Sequence, residues 1–160
     1  MPETADAPPA RRRYRRLIPR APRSDLPPSG VYHVTVRGVA CCEIFREDAD
    51  RRRFTVRLKR VGKELRWTCF TYCLMTTHVH LLVSALLDDL SKGMQRTLGP
   101  YAQQFNVKYA RVGHLFQDRF HVRVVRDELH FRRAYEYIRN NPVAAGMCEE
   151  PEEWPWTGSF

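Results

Sequence analysis

Lysine is scarce in this chain: of its 27 basic residues, four are lysine and 23 are arginine. Acidic residues are also few, 18 in all, which leaves a formal net charge of +9 and a sequence pI near 9.7. The planar guanidinium fork matches phosphate oxygens, so the bias favours a phosphate-rich partner. A high-GC genome that writes arginine wherever lysine would serve gives the same bias. No C-x2-C pair occurs among the five cysteines (41, 42, 69, 73 and 148), which excludes a zinc ribbon, and their odd number suits a disulfide framework poorly. Reduced thiols in a cytosolic protein are the expectation. No apolar run reaches the roughly 20 residues of a membrane span. The N-terminus has no apolar core of a secretory leader. A cytoplasmic protein, associated with the nucleoid and not with a membrane, is expected. No internal repeat is visible.

Residues 1–30 differ from the rest. They hold seven of the eleven prolines and seven arginines, among them Arg11, Arg12 and Arg13. Proline breaks regular structure and the charges resist burial, so a largely flexible basic arm is expected, able to lie along a nucleic-acid backbone. A single domain of ordinary size follows over residues 31–160. Val31–Arg37 alternates, with Tyr32, Val34 and Val36 on one face and His33, Thr35 and Arg37 on the other, and Gly38 ends it. Asp48 or Asp50 can cap a helix to about Val61, with Gly62 as its stop. Two strand-like runs, Arg66–Leu74 and His78–Ser84, are joined by a link short enough to require an antiparallel pair. A second helix opens at Asp88 or Asp89 and is expected to kink at Gly99-Pro100. Arg119–Val125 reads as a fourth strand, and a third helix runs from the Asp127 cap to about Asn140, with Pro142 as its stop. The order β-α-β-β-α-β-α predicts an α+β fold. Its first six elements give a ferredoxin-like arrangement: a four-stranded antiparallel sheet with helices on one face.

Two features could carry chemistry. His78 and His80 are two apart in a strand, so both imidazoles project from one sheet face, about 7 Å apart at Cβ, a spacing suited to one shared ion. Alone, such a pair is equally two surface or core histidines. In the last helix, Tyr137 and Asn141 are four apart and share a face, placing a hydroxyl nucleophile one turn from an amide oxygen able to bind a hard cation. The other late tyrosines have Phe105, Gly113 and Arg139 at the same offset. A core aromatic and a helix C-cap are the ordinary roles for Tyr137 and Asn141. Arg37, Arg119, Arg123 and Arg126 are candidates for DNA-backbone contacts, with Arg119 and Arg123 on one strand face if the run is regular. Trp67, Tyr101, Trp154 and Trp156 could stack on bases, although core packing is their commoner use.

Five segments, in order, resemble the REP-associated tyrosine transposases, relatives of the single-strand transposases of the HUH superfamily. They are Val31-Tyr-His-Val-Thr-Val-Arg-Gly38, Tyr72-Cys-Leu-Met-Thr-Thr-His-Val-His-Leu-Leu-Val83, Gly113-His-Leu-Phe-Gln-Asp-Arg-Phe120, Tyr137-Ile-Arg-Asn-Asn-Pro-Val-Ala-Ala-Gly146 and Trp154-Pro-Trp-Thr-Gly-Ser159. The resemblance spans about Arg16 to Phe160. It departs from the family pattern at Thr77, Asp118, Gly99-Pro100 and Asn140.

The resemblance implies that His78, His80 and Asn141 hold a divalent metal, Mg²⁺ or Mn²⁺. It makes Tyr137 the nucleophile on single-stranded DNA beside a small hairpin, with a 5′-phosphotyrosine intermediate and strand transfer. Relatives act as monomers or as homodimers that exchange the nucleophile helix. Two readings compete: a non-catalytic nucleic-acid-binding protein derived from a transposase, and a metal-dependent hydrolase that uses water.

Overall fold

Strict alternation in the first strand decides which side of the sheet becomes the core. The computed structural model describes residues 22–160. In β1 (Ser29–Arg37) Tyr32, Val34 and Val36 are fully buried, while His33 and Thr35 are half-buried and Arg37 is exposed. β2 (Thr68–Leu74) and β3 (His78–Leu86) form the expected antiparallel pair. β4 (His121–Val125) flanks β1, and a two-residue β5 (Thr157–Gly158) adds a fifth strand beside β2, giving the order β4-β1-β3-β2-β5 with every pairing antiparallel. The four-strand expectation therefore gains one short edge strand. It forms because the chain end returns to β2: the Cys69 amide donates to the Phe160 carbonyl at 2.8 Å, and the Phe160 amide donates back at 3.1 Å.

Helices α1 (Asp48–Glu64) and α2 (Leu87–Lys108) cover one face, over Val34, Val36, Leu81 and Val83. The helix stripe Leu90, Met94, Leu98, Tyr101 and Phe105 is buried there. Phe45, Phe54 and Tyr101 meet edge-on or tilted at 5.1–5.7 Å between centroids, an arrangement that aligns positive ring edges with negative faces. Trp67 and Tyr101 are thus core residues. Trp154 and Trp156 flank the buried Arg51 guanidinium, and the Trp154 indole donates to the Leu74 carbonyl, so these rings also pack the fold. The third helix, α3 (Glu128–Ala144), takes the opposite face, where Ala134 and Ile138 pack on Cys73, Met75 and Leu82. One face of the sheet therefore carries the main core, and the other carries α3 together with the polar residues of β1 and β3.

Several element ends differ from the sequence expectation. Glu47, not Asp48 or Asp50, occupies the N-cap of α1. Gly62 lies inside α1 and is buried, because a Cβ there would fall 2.3 Å from the Phe160 ring. It is small for packing, not for stopping the helix. Leu86 precedes α2, with Asp88 and Asp89 in its first turn, and Gly99-Pro100 lies within an unbroken helical run. Pro142 likewise falls within α3, which ends only where Gly146 turns left-handed (φ 70°) and its amide donates to the Val143 carbonyl. Asp127 caps α3 as expected, accepting from the His130 amide at 2.7 Å. β4 begins at His121 and not at Arg119, because the preceding segment is tied to the end of β1: the Gln117 amide donates to the Arg37 carbonyl at 2.9 Å.

Arg11, Arg12 and Arg13 lie outside the described residues, as does the arm as far as residue 21. The stretch from Pro22 to Pro28, which composition groups with the arm, is joined to the domain. Arg23 pairs with Asp88 and donates to Ser91 of α2, and the Leu87 amide donates to the Pro28 carbonyl at 2.8 Å.

Asp50 ties α1 to the end of α2. Its carboxylate is 3% exposed and accepts from Lys108 at 2.6 Å, Tyr109 at 2.7 Å and the Arg46 amide at 3.0 Å. Burial alone would raise its pKa, but the hydrogen bonds from Lys108, Tyr109 and two backbone amides outweigh that and hold it below the ordinary carboxylate value. Its stabilisation is therefore present above the unfolded-state pKa and is lost as pH falls through the folded one. Asp50→Ala should cost about 2 kcal/mol, the scale of hydrogen bonds to a charged group. Urea unfolding at pH 7 measures that cost, and the gap between the two proteins should narrow below about pH 4, where an unperturbed aspartate is itself protonated.

Candidate active site

The polar face of β1 and β3 becomes a site because α3 lies across it. In the antiparallel register His80 is opposite Thr35 and His78 is opposite Arg37. Alternation sends Val79 and Leu81 into the main core and His78 and His80 towards α3. The ring centroids of His78 and His80 are 5.0 Å apart, with the planes nearly perpendicular. On α3, Ala134, Ile138 and Pro142 form the buried stripe, and Tyr137 and Asn141 occupy the adjacent one. The Tyr137 ring meets His80 edge-on at 5.5 Å between centroids, yet Tyr137 is 55% exposed, so the residue is open to solvent. The Asn141 side chain lies close enough to His78 to oppose the lowering of its pKa. The four residues singled out from the sequence are thus brought together from two elements, although the histidines precede Tyr137 by 57 positions or more.

A fifth residue joins them. His33, half-buried on β1, lies with its Nε2 3.0 Å from His80 Nδ1 and its ring 6.0 Å from that of Tyr137. Thr35 Oγ1 is 3.2 Å from the same His80 nitrogen, and Thr77 Oγ1 is 3.0 Å from His78 Nδ1. Thr77, which departs from the family pattern, therefore still supplies a polar partner to the first histidine. Sequence reasoning put His33 on the polar face of β1 but gave it no role. The signal was available: in a ferredoxin-like sheet that face adjoins the face of the H-x-H strand.

All three imidazoles favour their neutral forms. Burial, aided by Arg123 and His130, lowers His33 to about 4. Burial and Arg37 lower His78 to about 4 against the opposing influence of Asn141, and burial with the neighbouring histidines and Arg37 takes His80 well below its ordinary value. A neutral imidazole keeps the lone pair that a metal needs. Among the described residues no group of three His, Cys, Asp or Glu side chains is placed to hold a metal ion, and a site built on His78 and His80 would take its third donor from another residue type. The Asn141 amide beside His78 is such a donor, and two imidazole nitrogens with one amide oxygen fit a divalent cation that retains open positions.

The sequence and the fold have known counterparts. The family described as Transposase IS200 like matches residues 29–141, most of the chain and every strand and helix that builds the site. The chain belongs to this family. A protein of Haemophilus influenzae (strain ATCC 51907 / DSM 11121 / KW20 / Rd), named as a REP-associated tyrosine transposase, is 26% identical over 154 residues, covering 84% of this chain and 82% of its own. In three dimensions the chain is similar to a REP-associated tyrosine transposase solved with a REP hairpin, at a TM-score of 0.62 and 19% identity, over 80% of this chain and 75% of that one.

The arginines of this chain separate into groups. Arg37 and Arg123 are exposed on the site face, opposite His78 and His33 respectively in the strand registers. Arg126 follows β4 at the turn into α3. Arg119 does not share a strand face with Arg123. It lies in the bend before β4 and lines a cleft of about 1090 Å³ between α2 and the segment 113–120, with Asp118 and Phe120. All five cysteines are free, and no helix among the described residues is long and apolar enough to cross a membrane.

Because the folded-state pKa values of His33, His78 and His80 lie below that of a solvated imidazole, the unfolded chain binds more protons between about pH 4 and 6.5, and stability should fall as pH falls through that window. Long-range ¹⁵N NMR of the metal-free protein should find the three rings neutral at pH 6, while a solvent-exposed histidine is largely protonated. Ordinary titration near pH 6.5 would contradict the burial argument.

Proposed function

We propose that the chain nicks single-stranded DNA and transfers the strand through a covalent bond to Tyr137, at a site beside a DNA hairpin. The observation that carries this reading is the meeting of the exposed Tyr137 with the buried His80, which shares its sheet face with the half-buried His78. The hairpin substrate is argued from the relative solved with one and from the REP-associated name of the Haemophilus protein.

In this reading the Tyr137 oxygen attacks phosphorus in line with the bond to the 3′ oxygen. A bond from the tyrosine oxygen to phosphorus forms and the bond from phosphorus to O3′ breaks. The phenolic proton is released and O3′ leaves as a hydroxyl. The 5′-phosphotyrosine retains the phosphodiester energy, so the 3′-hydroxyl of another strand can reverse the step without ATP. Tyrosine has an ordinary pKa near 10 and is a poor nucleophile at neutral pH, so the site has to favour its phenolate during attack. His78, His80 and Asn141 are the residues that would hold a divalent cation, Mg²⁺ or Mn²⁺. Such an ion would offset charge on the non-bridging phosphate oxygens. Arg37 and Arg123, exposed on the same face, supply positive charge for the flanking backbone.

The test mixes purified protein with labelled single-stranded oligonucleotides that carry the hairpins flanking its gene, in Mn²⁺ or in EDTA, beside Tyr137→Phe. An adduct that survives denaturation, requires the metal and vanishes in Tyr137→Phe is the expected result. Hairpin binding with no adduct would instead support a non-catalytic binding protein. Cleavage without an adduct that persists in Tyr137→Phe would support a hydrolase.

A further inference from the structure

His33 touches both halves of the site without belonging to either. Its Nε2 is 3.0 Å from His80 Nδ1, and its ring meets Tyr137 edge-on. It stands on β1, which is paired on both sides, to β3 and to β4, so its backbone is held firmly. We propose that His33 is a positioning residue that fixes His80 as its Nδ1–H tautomer, leaving Nε2 as the nitrogen available to a divalent cation.

The argument is one of proton counting. Two neutral imidazoles 3.0 Å apart share one hydrogen bond, so one ring donates and the other accepts. If His80 Nδ1 carries the proton, it donates to the His33 Nε2 lone pair, and His33 keeps its own proton on Nδ1. The reverse arrangement puts the His80 proton on Nε2 and removes the only nitrogen that His33 does not already occupy. A metal-binding histidine ordinarily gives its other N–H to an acceptor that sets its tautomer and ring angle. His33 is that acceptor here, with Thr35 Oγ1 a second at 3.2 Å. The same ring lies against Tyr137, so the histidine that orients the ligand also bounds the position of the nucleophile.

This inference rests on the metal-site reading above, and its test is independent of DNA cleavage. Mn²⁺ affinity of the full chain, followed by the EPR signal of free Mn²⁺, is compared among the wild type, His33→Phe, His33→Gln and Thr35→Val. His33→Phe keeps a ring of similar size and removes the acceptor. It should weaken Mn²⁺ binding about 10- to 100-fold, the usual effect of losing such a partner. His33→Gln returns an amide oxygen and should recover part of the loss, and Thr35→Val should weaken binding less than His33→Phe. In the metal-free wild type, long-range ¹⁵N NMR should show the His80 proton on Nδ1, and that preference should be lost in His33→Phe. Unchanged Mn²⁺ affinity in a folded His33→Phe, or a larger loss in Thr35→Val, would overturn the proposal. Should His33→Phe fail to fold, a His80 proton on Nε2 in the wild type would overturn it alone. A wild type that binds no Mn²⁺ would remove both this inference and the metal-site reading. Tight Mn²⁺ binding without a Tyr137 adduct would leave the inference standing and sink only the strand-transfer reading.

Discussion

The antiparallel register between β1 and β3 is the constraint on which the site depends. With Thr35 opposite His80 and Arg37 opposite His78, the period-two geometry of both strands sends one row of side chains to each face. Tyr32, Val34, Val36, Val79, Leu81 and Val83 then build the core, and His33, Thr35, His78 and His80 are left together on the reverse side. A slip of one residue would exchange the two rows, burying histidines under α1 and α2 and exposing the apolar row. The apolar row thus does more than stabilise the sheet: it fixes where the imidazoles are.

The reverse side cannot be left to water, because Cys73, Met75 and Leu82 make it partly apolar. α3 covers that apolar part with Ala134 and Ile138 and leaves the polar row along its flank. A helix seated by that stripe has no freedom to choose where its next stripe falls, so Tyr137 and Asn141 are delivered to the histidines by ordinary hydrophobic packing. This also accounts for the exposure of Tyr137 beside a buried His80: the helix edge, not its centre, meets the polar row.

How much of this is legible in the sequence depends on the range of the interactions involved. Alternation in Val31–Arg37, the H-x-H pair and the four-residue offset of Tyr137 and Asn141 are local patterns, and they place the four residues on the right elements and faces. The errors arise where distant chain decides. Gly62 looks like a helix stop until Phe160, nearly 100 residues later, is found against it. Arg119 looks like the start of a strand until Gln117 is found bonded to Arg37. Pro142 looks like the end of α3, but a proline in a last turn forgoes one amide donor while its ring fills space under the helix, and the turn continues to Gly146. β5 consists of two residues and exists only because the chain end pairs with β2.

His33 was the costliest omission, and its cause differs from the others. Nothing in Tyr-His-Val-Thr-Val distinguishes a solvated strand histidine from one facing a partner, because the distinction lies in which strand is its neighbour. Once β1 is placed between β3 and β4, the residue has no access to bulk water on either side of its own strand, and its ring must find polar company on the α3 side. The company it finds is His80. With His80 buried and His33 half-buried, an unsatisfied ring nitrogen at their contact carries a desolvation cost, which is avoided when one ring accepts what the other donates. The hydrogen bond between them is thus favoured by burial before any metal is considered. Choosing between its two directions also chooses which nitrogen of His80 a cation could reach, which ties the packing of β1 to the chemistry of the site.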